Sequence, residues 1–101
     1  MVQQGLQVDS GTVCTRSRDV IERDLQGEHV LLDLNSGIYY SLNAVGGFIW
    51  TMLDGTRTLG RISERVAAEY DVDAHTAGQD TLELVRDLVA QGLARAGGAQ
   101  K

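Results

Sequence analysis

Proline is absent from the 101 residues, so neither cis-prolyl turns nor polyproline segments shape the chain. The one cysteine, Cys14, excludes an intrachain disulfide. With only His29 and His75 as further soft donors, the ligand count falls short of a structural zinc site. Positive charge is in deficit, 9 Lys and Arg against 14 Asp and Glu, for a formal net charge of −5. That sign repels phosphate backbones and removes nucleic acid from the expected partners. Nowhere do ~18 apolar residues run together, and Met1-Val2-Gln3-Gln4 is followed by no apolar signal segment, so no membrane partner is expected and the location is expected to be cytoplasmic. No internal repeat, low-complexity linker, phosphate-binding glycine loop or metal-ligand spacing is present, and neither a metal nor a cofactor is expected.

What is present suits one compact domain, with 43% of residues hydrophobic and 23% charged. Residues 1–11 and 94–101 are polar or small and glycine-rich, and read as flexible tails around a domain at 12–93. Within it, 12–16 alternates with β-branched residues as a half-buried strand does. Residues 29–34 and 38–42 are β-rich runs joined by Asn35-Ser36-Gly37, a glycine-containing connection that favours a hairpin. The stretch 19–26 stays undecided between strand and loop.

After Leu42 the period lengthens. Asn43 is placed to cap a short helix carrying Val45, Phe48, Ile49, Met52 and Leu53, stopped by Asp54-Gly55. Thr58 caps a second helix to Tyr70, with Leu59, Ile62, Val66 and Tyr70 on its inward side. Asp73 caps a third from about 74 to 91, ended by Gly92. The expected fold class is α+β, a winged helix-turn-helix-like arrangement of a three-stranded antiparallel sheet followed by three helices.

Catalytic chemistry is hard to assemble from these residues. A nucleophile needs a base and the base an orienting group, yet no motif joins Cys14 to either histidine. Cys14 reads as a small buried hydrophobe and the chain as a non-enzyme. Gly46-Gly47 reads as tight packing of the first helix rather than as a ligand cradle. Arg57, Arg61 and Arg65, spaced by four, form a stripe that is either solvated surface or a face for docking a protein. A DNA-binding winged helix would need its third helix in the major groove, where Asp80, Glu83 and Asp87 repel phosphate.

The third strand is more informative, because Ile38, Tyr39, Tyr40, Ser41 and Leu42 include no Lys, Glu or Pro, the residues that keep a sheet edge from pairing with strangers. The pattern fits either a central or covered strand whose side chains are ordinary core, or a sheet edge, and an edge of this kind takes an extended peptide as an added strand or pairs with a second copy to give a weak homodimer. The broad apolar arc of the third helix, with Leu84, Val85 and Leu88 toward the sheet, supplies the other wall of a groove.

The runs 31–43 and 49–55, then Tyr70-Asp71-Val72-Asp73, Leu84-Val85, Leu88 and Gly92-Leu93, together resemble the PqqD-like family over roughly 13–94. That resemblance implies a recognition module for ribosomally made, post-translationally modified peptides. In such a module the leader segment of a precursor peptide adds to the third strand and packs on the third helix. Carried onto this sequence, the leader contacts are Ile38, Tyr39, Tyr40, Ser41 and Leu42 on the strand and Leu82, Val85, Arg86 and Val89 on the helix. Asp80, Glu83 and Asp87 are candidate rim residues, and Arg57, Arg61 and Arg65 candidates for docking the leader peptidase. The chain looks most like the discrete leader-binding protein of lasso-peptide pathways, whose leaders tend to carry Tyr-x-x-Pro-x-Leu and are removed by a separate cysteine peptidase. The alternative within the family is a PqqD-type chaperone that brings its precursor to a radical-SAM enzyme.

Overall fold

The computed structural model describes residues 8–26 and 28–97. The outer parts of the expected tails, 1–7 and 98–101, lie outside the described residues. In chain order the elements are β1 (Val13–Arg16), β2 (Val20–Leu25), β3 (Glu28–Asp33), β4 (Tyr39–Leu42), α1 (Ala44–Thr51), β5 (Asp54–Thr58), α2 (Leu59–Tyr70), α3 (Ala74–Ala90) and β6 (Ala94–Ala96).

The fold is α+β, with a three-stranded antiparallel sheet ordered β2-β3-β4 and the three expected helices. The hairpin at its centre forms as its turn residues dictate. Gly37 sits at φ +78°, open to glycine at little cost, and the Asp33 carboxylate accepts from Asn35 N–H and the Ser36 hydroxyl. The undecided 19–26 stretch is strand β2, in register with β3 from Val20↔Asp33 to Leu25↔Glu28. Because β2 is exposed along nearly its whole length, its place rests on the backbone ladder, and it carries no clean alternation.

The strand at 12–16 forms too, but it does not belong to this sheet. β1 pairs with β5 and β6 in a second sheet ordered β5-β1-β6. This revises the expected tails: Ala94–Ala96 is a strand, Ala94 is buried, and Val8 is part of the core. The reversal that returns β6 to β1 is a Schellman motif at the end of α3. Gly92 stands at φ +79°, Leu93 N–H donates to Leu88 C=O, and Gly92 N–H donates to Val89 C=O.

All three helices begin where their capping residues predict. Asn43, Thr58 and Asp73 side chains accept from the backbone N–H of Gly46, Arg61 and Thr76 respectively, satisfying donors that a helix start leaves open. α1 packs on β3 and β4 and against α2 and α3, while α2 and α3 pack on each other. One core results. It joins Leu31 and Leu42 of the sheet to Ile49 and Trp50 of α1, to Leu59, Ile62 and Val66 of α2, and to Ala77, Val85 and Leu88 of α3. The Gly46-Gly47 pair makes that packing close. A Cβ on Gly46 would stand 3.2 Å from Leu42, and one on Gly47 would stand 3.3 Å from the His29 ring. Phe48 and Tyr70 meet edge to face at 5.5 Å and fasten the end of α2 to α1.

Candidate functional site

The expected third strand is β4, and among the described residues it is an edge of the β2-β3-β4 sheet. Register assigns its backbone groups. Asp33 N–H donates to Ile38 C=O, and the pairs continue as Leu32↔Tyr39, Leu31↔Tyr40, Val30↔Ser41 and His29↔Leu42. Antiparallel pairs alternate between hydrogen-bonded and open. Tyr40 and Leu42 therefore aim their N–H and C=O groups at β3, Ile38 aims only its C=O there while its N–H donates to Ser36 Oγ at 3.1 Å, and Tyr39 and Ser41 aim theirs off the sheet. The opposite edge, β2, carries Glu22, Arg23 and Asp24 in exposed positions, which discourages strand addition there.

Side chains follow the pleat and point to alternate faces, so Tyr40 and Leu42 share the face that α1 and α3 cover. Between β4 and these helices runs a groove of about 830 Å³. Its strand wall is Tyr40, Ser41 and Leu42, its floor Val45, Gly46 and Ile49 of α1, and its far wall Asp80, Glu83, Leu84, Arg86, Asp87 and Ala90 of α3. The Tyr40 hydroxyl donates to Asp87 Oδ2 at 2.5 Å, joining strand to helix across one end. Burial, then the hydrogen bond to Asp87 and that carboxylate's charge, push the Tyr40 hydroxyl up to about 12. Three exposed carboxylates against the single Arg86 guanidinium give the far wall an acidic lip. Arg86 is also held back, donating to Val8 C=O at 3.0 Å.

The expected site residues are only partly brought together. Tyr40, Ser41, Leu42 and Arg86 line the groove, as do the rim carboxylates Asp80, Glu83 and Asp87. Tyr39 lies on the opposite face of the sheet and is 69% exposed, while half-buried Ile38 stands just before the strand. Val85 needs correcting: it is 0% exposed and belongs to the core, one layer beneath the groove. Leu82 and Val89 are half-buried side chains packed against the core and do not line the groove. Helix rotation explains all three, because α3 turns Ala77, Thr81, Val85 and Leu88 inward. Asp80, Glu83, Leu84 and Asp87 then fall about one residue's turn away, toward β4. Sequence reasoning put Leu84 on the helix wall of the groove, where it stands, but did not name Asn43, Val45, Gly46, Ile49 or Ala90 as site residues. The available signal was the helical period of 45–53, which marked α1 as buried without saying that one side of it floors a cleft.

The arginine stripe also changes. Arg57 is not on the helix but in β5, where it pairs with Asp54 at 3.2 Å, so only Arg61 and Arg65 share the exposed side of α2. Cys14 is buried, and burial pushes its thiol up, away from the reactive thiolate. His29 pairs with Glu22 at 3.0 Å, and His75 lies exposed in the first turn of α3. Among the described residues no group of three or more His, Cys, Asp or Glu is placed to hold a metal ion. Nor is any helix there long and apolar enough to cross a membrane.

Comparison with known proteins bears on this arrangement directly. The profile of the family described as coenzyme PQQ synthesis protein D (PqqD) matches residues 28–94, from the start of β3 to the start of β6. No curated protein matches. Among solved structures, TbiB1 in complex with the TbiA(β) leader peptide is 32% identical, with a TM-score of 0.70 over 86% of this chain and 99% of that one. A lasso peptide synthetase B1 complexed with the leader peptide is 26% identical, with a TM-score of 0.71 over 80% of this chain and 95% of that one. The PqqD truncation of Methylobacterium extorquens PqqCD shares the fold at 21% identity, with a TM-score of 0.74 over 87% of this chain and 94% of that one. That structure is described as a functional, stand-alone recognition element for ribosomally synthesised and post-translationally modified peptides.

Proposed function

The chain belongs to the PqqD family, and from that premise we propose that it is a non-catalytic adaptor for the leader segment of a ribosomally made precursor peptide of lasso type. The leader adds as a strand to β4 and is presented to a partner leader peptidase. The observation that carries this reading is the open edge of β4 lying flush with the groove. The structures of two similar proteins in complex with leader peptides support it. Identity to those two exceeds identity to the PqqD truncation, which favours the lasso-type partner over delivery to a radical-SAM enzyme.

Each part of the site has a separate task in this mechanism. Tyr39 and Ser41 offer two N–H donors and two C=O acceptors to the incoming backbone, which sets its register. Leader side chains on the face of Tyr40 and Leu42 enter the groove and bury against Leu42, Ile49, Leu84 and Ala90. A buried aliphatic side chain contributes about 1.5–3 kcal/mol, against about 0.5–1.5 kcal/mol net for a hydrogen bond. Affinity therefore comes mainly from the groove and register from the edge. The acidic lip favours basic residues in the leader and makes association faster at low salt. Arg61 and Arg65 on α2 stand away from the groove, on a face open to the peptidase.

Fluorescence anisotropy of a labelled Tyr-x-x-Pro-x-Leu leader peptide, beside a scrambled peptide and a DNA duplex, tests the proposal. Saturable binding of the leader peptide alone is expected. Equal binding of leader and scrambled peptides, or preference for the duplex, contradicts it.

A further inference from the structure

The face of β2-β3-β4 opposite the groove carries apolar side chains that the core does not use. Cross-strand register stacks Ile21, Leu32 and Tyr39 in a single row. Tyr39 is 69% and Ile21 37% exposed, and Leu32 between them is half-buried. Val30, on the same face, is 6% exposed yet stands outside the core cluster, which takes Leu31 and Leu42 from the other face. The row is thus a separate apolar strip. It ends at Tyr39, whose backbone groups point off the open edge. Whatever strand adds to β4 places one side chain beside the Tyr39 ring and continues the row.

Resting on the strand-addition reading, we infer that the added peptide is recognised on both faces of the sheet. Its residue opposite Tyr39 is an aromatic or branched aliphatic side chain that becomes the fourth member of the Ile21–Leu32–Tyr39 row. Directly opposed side chains on a sheet stand about 4.5–5.5 Å apart at Cβ, and aromatic pairs there are favourable. A polar residue at that place leaves Tyr39 wet and gains nothing. Because strand side chains alternate, the residue on the Tyr39 face is separated by an odd number of positions from those that enter the groove, whichever way the peptide runs. Continuity with the β4 edge selects this occupant over a second copy of the chain or another protein.

The test is a set of double-mutant cycles. Each alanine variant of the labelled Tyr-x-x-Pro-x-Leu peptide is titrated against the wild-type chain, Tyr39→Ser, Tyr39→Phe and Leu84→Ala, with far-UV circular dichroism confirming the fold. Tyr39 is exposed and outside the core, so Tyr39→Ser folds normally. One peptide position is expected to couple to Tyr39→Ser by about 3- to 10-fold in Kd, with Tyr39→Phe retaining wild-type affinity. That position lies an odd number of residues from those coupling to Leu84→Ala. If every position is indifferent to Tyr39→Ser, or the coupled position has the same parity as the Leu84 set, the two-face reading is overturned while leader binding stands. Sedimentation showing that Tyr39→Ser alters self-association instead assigns the row to a second copy, and likewise overturns it. A wild-type chain that binds no leader peptide removes the strand-addition reading beneath it.

Discussion

Replacing Ser41 by proline separates the two sets of backbone groups on β4. The Ser41 N–H points off the sheet, so its loss breaks no hydrogen bond inside the protein, and an edge position with its N–H outward is where a strand accepts proline. Tyr40, the preceding residue, is already extended, as a residue before proline must be. The fold therefore survives with a small shift in thermal midpoint. The incoming leader loses more. The proline ring removes one donor and occupies the space its partner carbonyl would fill, so both bonds at Ser41 fail. Two bonds at about 0.5–1.5 kcal/mol each come to about 1–3 kcal/mol, or roughly a 5- to 150-fold rise in Kd. Leu42→Pro is the matched control. Its N–H faces β3, so it should lower the melting temperature sharply, by thermal denaturation followed with circular dichroism. A folded Ser41→Pro chain that binds leader with undiminished affinity in the anisotropy assay would refute the assignment of the open edge.

Four further outcomes are expected. Val85→Asp places an unpaired charge in a fully buried position and should abolish cooperative thermal unfolding rather than weaken binding alone. Tyr40 holds its proton more tightly when folded, at about 12 against its ordinary 10.0; the associated stability is intact below pH 10 and is lost as pH rises toward 12, so urea midpoints of the wild type should fall over that window more than those of Tyr40→Phe. Glu83→Lys, at an exposed groove position, should slow association with a basic leader roughly 2- to 5-fold at low salt, with the difference shrinking in 0.5 M NaCl by stopped flow, as screening at about a Debye length requires. Arg61→Glu with Arg65→Glu should leave leader affinity unchanged and slow leader removal in a reconstituted assay with the peptidase; unchanged cleavage disposes of that docking face.

The sequence reading was strongest where one local signal sufficed. Asn43, Thr58 and Asp73 marked the helix starts, Gly92 the stop of α3, and Asn35-Ser36-Gly37 the central hairpin, because caps and turns depend on a few adjacent residues. The unprotected character of 38–42 likewise pointed to β4, and the spacing of Asp80, Glu83 and Asp87 put them on one side of α3. What escaped the sequence depends on distant pairing. β5 and β6 are short, lie in stretches that read as a helix stop and a tail, and exist because β1 bonds to both. β2 is exposed on both faces and so shows no alternation. Within the site, Leu84 and Val85 differ by one residue and hence by about 100° around the helix. Packing of α3 on α2 decides which of them meets the groove and which the core. Arg57 fell off its stripe for a similar reason, since β5 begins before the helix that its spacing suggested.

The central claim is that a peptide backbone pairs with the outward groups of β4, and amide hydrogen exchange resolved by residue tests it most directly. In the free chain Tyr40 and Leu42 amides, bonded to β3, exchange slowly, while Tyr39 and Ser41 amides exchange fast. Saturation with leader peptide should slow Tyr39 and Ser41 selectively and leave the Tyr40 and Leu42 pair nearly unchanged. Leader binding with no added protection at Tyr39 and Ser41 would contradict strand addition and leave the groove as a side-chain receptor alone.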